Sequence, residues 1–105
     1  MPNPTLRNVA VLGATGSIGT ATLDVISQLP PSQWRLWGVS GHAQLDALAT
    51  SLAEWTPAPE RIVASDLQLS AAFDAKRWPA ASRLCVGPEA LVELASAPEV
   101  DVVVA

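Results

Sequence analysis

Val9-Ala10-Val11-Leu12-Gly13-Ala14-Thr15-Gly16-Ser17-Ile18-Gly19 joins an apolar run of strand length to a glycine turn and the start of a helix. The first four residues carry no polar side chain, which fits a strand covered on both faces, as in a parallel sheet. From Ser17 to Leu29, Ile18, Ala21, Val25, Ile26 and Leu29 fall at helical spacing. Between strand and helix the glycines are spaced G-x-x-G-x-x-G, one residue longer at the first step than the usual dinucleotide fingerprint. Gly13 permits the tight turn out of the strand, Gly16 lets backbone approach a pyrophosphate, and Gly19 allows close helix packing. The free N–H groups around Ser17 and Ile18, at the positive end of the helix, suit phosphate oxygens, and Thr15 and Ser17 add hydroxyl donors. Glycine also gathers in turns for conformational reasons alone. Inside a strand–turn–helix unit, the trio points to nucleotide binding. The P-loop is excluded, because no Gly-Lys-Ser or Gly-Lys-Thr is present after the turn.

Outward from this unit the chain alternates regularly. Pro30-Pro31 stops the first helix. Trp34 to Val39 reads as a second strand, and Leu45, Leu48, Ala49, Leu52 and Trp55 as a helix broken by Pro57 and Pro59. Ile62-Val63-Ala64 is a third strand, and a helix from Leu67 to Asp74 takes Asp66 as its cap. Ser82 to Val86 forms a fourth strand. Gly87-Pro88-Glu89 then opens a helix carrying Leu91, Val92, Leu94 and Ala95, with proline tolerated at its first position. Val100 to Ala105 opens a fifth strand. The expected architecture is an α/β fold, a Rossmann-like doubly wound parallel sheet with helical crossovers. Residues 1–105 form one domain. A buried strand ending at Ala105 reads as the N-terminal fragment of a larger enzyme, incomplete at its C-terminus.

Composition narrows the function classes. Six Lys or Arg against ten Asp or Glu leave 105 residues at a formal charge of −4. With no basic run to neutralise phosphates, neither nucleic acid nor an anionic membrane is an expected partner. Half the residues are hydrophobic and 15% charged, which excludes a disordered polyelectrolyte. The four tryptophans are spread out, without the interleaved basic residues of a nucleic-acid platform, and read as core or edge packing. One cysteine, Cys85, excludes an internal disulfide and a multi-thiolate metal site; between Leu84 and Val86 it reads as a buried strand thiol. No apolar run nears the ~20 residues that cross a bilayer. Met1 to Arg7 is too short and polar for a signal peptide. A reducing, cytoplasmic compartment is the default.

The second strand selects the cofactor. NAD sites place Asp or Glu at its C-terminal end, where the carboxylate accepts from the ribose 2′-OH. From Pro31 through Gln44 there is no acid, and Val39-Ser40-Gly41-His42-Ala43 stands at that end. A 2′-phosphate is therefore tolerated, which points to NADP. His42 is the nearby cation candidate, either as a phosphate partner or as a solvent-exposed histidine at a helix start.

Gly13-Ala14-Thr15-Gly16-Ser17-Ile18-Gly19 continues into Thr20-Ala21-Thr22-Leu23-Asp24-Val25-Ile26. This closely resembles the opening of the 1-deoxy-D-xylulose 5-phosphate reductoisomerase family, where G-[AS]-T-G-S-I-G runs on to T-L-D-V-[IV]. The resemblance is tight over residues 9 to 26 and loose over the whole chain. It implies an NADPH-dependent oxidoreductase that also needs a divalent metal, Mg or Mn, in the full-length enzyme. That enzyme isomerises and reduces 1-deoxy-D-xylulose 5-phosphate to 2-C-methyl-D-erythritol 4-phosphate in non-mevalonate isoprenoid synthesis. The implied partners are a phosphorylated sugar substrate and a second subunit in a homodimer. The cofactor positions carry over to Thr15, Gly16, Ser17, Ile18 and Gly41. After that glycine the family usually has Lys or Arg and then Asn, whereas this chain has His42 and Ala43.

The resemblance puts the metal ligands, substrate-phosphate residues and flap beyond Ala105, so no catalytic or metal residue is assigned here. Asp24 reads as a solvated helix residue, Glu89 and Glu93 as surface acids, and Asp101 as a strand start away from the turn. Alone, the chain is expected to be inactive. Two other classes remain open. Atypical short-chain dehydrogenase-like proteins also begin G-A-T-G-x-x-G, and some sense NADP without turning it over; they usually carry Arg or Lys at the second-strand end. A structural or regulatory fragment with a partner-seeking sheet edge is the non-enzyme alternative.

Overall fold

A computed structural model describes residues 6–105. Met1 to Thr5, most of the polar lead-in, lie outside the described residues. The element order is β1 (Arg7–Val11), α1 (Ser17–Gln28), β2 (Trp34–Gly41), α2 (Leu45–Leu52), β3 (Arg61–Ala64), α3 (Leu67–Ala72), β4 (Arg83–Val86), α4 (Pro88–Ala95) and β5 (Val102–Val104). A 3-10 turn at Ala75–Arg77, absent from the sequence reading, precedes β4. The strands form one parallel sheet in the order β4-β3-β2-β1-β5. The chain steps outward from β1 to β4, and then α4 returns it to the far side of β1. The strand order thus reverses between β1 and β5, where Leu12 N–H donates to Val104 O at 2.8 Å. In open α/β sheets, ligands bind outside the carboxyl ends of the strands at such a reversal.

Each face of the sheet has its own core. On one, Val9, Val11, Leu36, Val39 and Ile62 pack against Leu23 and Ile26 of α1 and Leu45, Leu48 and Leu52 of α2. On the other, Ala10, Trp37 and Val63 meet Ala90 and Leu94 of α4. Strict alternation along β2 is broken once. Val9 pairs with Leu36 and Ala10 with Gly38, so Trp37 is an extra residue in a bulge. Trp37 and Gly38 therefore both serve the α4 face.

Several boundaries differ from the sequence reading. α2 stops at Leu52, not Trp55; Trp55 leaves the helix in a turn, its N–H donating to Leu52 O at 3.0 Å, yet still packs on the first core. β5 begins at Val102, because Val100 is held in a turn by Ala97 O and Asp101 exchanges bonds with the Asn8 backbone. Cys85 is half-buried, since β4 is an edge strand. Trp37 and Trp78 are buried and Trp34 and Trp55 half-buried. Strand pairing also brings Arg7 and Arg61 over Trp34 and Trp37, cationic stacks that the linear spacing does not show. Asp66 caps α3 as expected, accepting from Leu69 N–H at 2.9 Å. Among the described residues, no helix is long and apolar enough to cross a membrane.

Candidate functional site: the glycine turn and the β2 end

β1 delivers the chain to the carboxyl edge of the sheet, and two hydrogen bonds accepted by Ser40 of β2 anchor the turn there. Gly13 N–H donates to Ser40 Oγ at 2.9 Å, and Ala14 N–H to Ser40 O at 2.8 Å. Ser40 is the one buried polar residue among those described. Gly13 turns with φ +68, a conformation that side chains resist. Gly16 N–H then closes onto Gly13 O at 3.0 Å, and the first helical bond of α1 runs from Thr20 N–H to Gly16 O. The N–H groups of Ser17, Ile18 and Gly19 thus have no intrahelical partner, and the cap residue, Gly16, has no side chain to offer them. Gly16, Ser17 and Ile18 are exposed and Thr15 is half-buried.

The three glycines separate by cause. Gly13 is required by its φ. At Gly19 a Cβ would press on the turn itself, 2.7 Å from Ala14 Cα, so α1 packs against the backbone of its own turn. Gly16 has neither reason: its φ and ψ are −73 and 173, open to any residue, and a Cβ would meet only Gly13 O at 3.4 Å. The fold itself does not demand glycine there.

Gly41 and His42 come next at the neighbouring strand end, on the same edge of the sheet. Gly41 is buried under α2, where a Cβ would come within 2.8 Å of Leu48 Cδ2, and its carbonyl accepts from Ser65 N–H at 3.0 Å. His42 is exposed. Its Nδ1 lies 2.9 Å from Ser65 Oγ and its Nε2 3.7 Å from Asp66 Oδ2. Ser40, Ser65 and Asp66 were missed as parts of this edge. A polar residue inside the apolar run of β2 was the available signal for Ser40; the other two arrive from β3.

Away from the turn, Asp24, Glu89 and Glu93 are exposed. Asp101 lies at the opposite edge, accepting from Asn8 N–H at 2.7 Å. Among the described residues, no three His, Cys, Asp or Glu side chains gather to hold a metal. A groove lined by Leu29, Pro31, Trp34 and Trp55 also opens at that opposite edge, far from the uncapped helix end.

A sequence model of 1-deoxy-D-xylulose 5-phosphate reductoisomerase matches residues 9–105. The chain belongs to the 1-deoxy-D-xylulose 5-phosphate reductoisomerase family. Reductoisomerases of that name from Rhodopirellula baltica and Dechloromonas aromatica are 42% and 40% identical to it, over 98% and 95% of the chain. The chain spans about a quarter of the length of these curated relatives. A crystal structure of DOX-P reductoisomerase in complex with NADPH, fosmidomycin and magnesium superposes with a TM-score of 0.74 at 35% identity, covering 93% of this chain and 24% of that one. The Zymomonas mobilis reductoisomerase in complex with NADPH gives 0.70 at 31% identity, covering 90% and 24%. These likenesses extend the family's Rossmann-like N-terminal fold to the chain and agree with its five-stranded parallel sheet.

Proposed function

We propose that residues 1–105 form the NADPH-binding domain of a 1-deoxy-D-xylulose 5-phosphate reductoisomerase. The whole protein would isomerise and reduce 1-deoxy-D-xylulose 5-phosphate to 2-C-methyl-D-erythritol 4-phosphate, as a homodimer using Mg or Mn, in non-mevalonate isoprenoid synthesis. When bound, NADPH supplies the hydride for the reduction. The residues of this chain bind and orient it. The N–H groups of Ser17 and Ile18 donate to pyrophosphate oxygens at the positive end of α1, and the hydroxyls of Thr15 and Ser17 add donors. Gly16 would let the pyrophosphate lie against the backbone, Gly41 would let α2 pack closely over the end of β2, and the exposed His42 after it would stand nearest the adenosine ribose. No side chain of the chain is assigned to the metal or to catalysis, so the chain alone should give no turnover. A reducing cytoplasm suits its single thiol.

The observation that carries this reading is Gly16: an exposed cap glycine, before a helix with no side-chain cap, where neither backbone conformation nor space requires glycine. Titration of NADPH fluorescence with the parent chain and with Gly16→Asp tests it. The parent should saturate and the variant should not, because its carboxylate would meet the pyrophosphate at close range. Equal affinities would refute the reading.

A further inference from the structure

Between Pro31 and Gln44 there is no acid, yet the fold brings one to the end of β2. β3 runs parallel to β2 with Gly41 beside Ala64. The residues after each strand therefore emerge side by side, His42 from one and Ser65-Asp66 from the other. Asp66 is held in place there: its Oδ1 accepts from Leu69 N–H at 2.9 Å while its Oδ2 lies 3.7 Å from His42 Nε2. Ser65 Oγ lies 2.9 Å from Nδ1 and 3.4 Å from Gly41 O, so one ring nitrogen meets this hydroxyl while the other is turned toward Asp66. The histidine is thus engaged by this chain's own groups before any ligand arrives.

An acid at this corner of a nucleotide fold accepts from a ribose 2′-OH and opposes a 2′-phosphate. We infer that Asp66 is a cofactor-selectivity residue of this chain, delivered by β3, which narrows its preference for NADPH over NADH. The inference rests on the proposed dinucleotide binding. His42, the more exposed of the two side chains, lies beside this carboxylate and would partly shield it from a 2′-phosphate.

Asp66→Asn tests the assignment, because asparagine caps a helix as well as aspartate does and only the charge is lost. Dissociation constants for NADPH and NADH are measured by nicotinamide fluorescence at low and high salt, with circular dichroism to compare helix content. The preference for NADPH should widen about fivefold, the scale of removing one like charge several Å away at a protein surface. The gain should shrink at high salt, where exposed charges are screened. Asp66→Ser, also a neutral cap, should move the ratio the same way. If the parent binds neither dinucleotide, the dinucleotide reading fails and this inference with it. If the parent binds but the NADPH-to-NADH ratio is unchanged in both variants, or both affinities fall equally, the assignment to Asp66 alone is overturned.

Discussion

Gly16→Asp should make the unliganded protein more stable while removing its ligand, and the two effects can be measured in one experiment. Aspartate is a favoured cap residue, and Gly16 already has the extended backbone of a cap, with no clash awaiting a Cβ. The new carboxylate reaches N–H groups of the first turn of α1, which now has no acid. Replacing a glycine cap contributes a few tenths of a kcal/mol, the charge at a helix N-terminus about 0.3–1, and the loss of unfolded-chain freedom about 0.4–1. The sum is about 1–2 kcal/mol, which should raise Tm by at least about 4 °C in a domain of this size. Gly19→Ala is the contrast. Its methyl meets backbone at Ala14 that cannot rotate away, so it should destabilise by about 1–3 kcal/mol. Thermal melts followed by circular dichroism, with and without NADPH, give both readings. Saturating NADPH at a hundred times its Kd should stabilise the parent by about 2.7 kcal/mol and leave Gly16→Asp unmoved. A Gly16→Asp protein that melts below the parent would refute the cap geometry. One that gains as much from NADPH would refute the pyrophosphate contact.

Ser40→Ala removes the acceptor of Gly13 N–H; it should cost about 1–2 kcal/mol in chemical denaturation and weaken NADPH together with NADH, since both share the pyrophosphate. Equal affinity for both, before and after, would show that the turn holds its shape without Ser40. His42→Arg should widen the preference for NADPH by about 1.5–3 kcal/mol, because a guanidinium holds a phosphate through paired, charge-assisted bonds. A variant with an unaltered NADPH-to-NADH ratio would show that this position does not face the ribose. Val103, 42% exposed on the edge strand β5, leaves an apolar surface beside unpaired strand groups. Self-association visible by sedimentation should fall in Val103→Lys, and an unchanged distribution would count against the edge as its cause.

The parts of the molecule legible in the sequence are those whose physics is local. Val9 to Leu12 shows a strand because both its faces are covered, and Pro30-Pro31 marks the end of α1 because proline cannot continue it. The glycine turn could be read because its whole geometry is carried by seven consecutive residues. What escaped depends on strand pairing. Ser40 reaches Gly13 across 27 residues and Ser65 reaches His42 across 23, and no spacing rule within one segment connects them. The end of α2 escaped for another reason. Trp55 keeps the apolar rhythm and packs on the core, but a residue in a turn can do that as well as one in a helix. The absence of an acid near the β2 end held for the segment and not for the space, because β3 delivers Asp66 to it.

The bulge at Trp37 also loosens the relation between chain length and register. Leu36 sits opposite Val9 and Gly38 opposite Ala10, so removing Trp37 would leave an uninterrupted ladder in which every other side chain keeps its face. Ser40 would still meet the glycine turn, and Gly41 and His42 would still reach the same corner. The loss would be one buried indole and the Arg61 stack upon it. A single-residue gap at this point is therefore a length change the sheet can absorb while its carboxyl edge keeps the same arrangement.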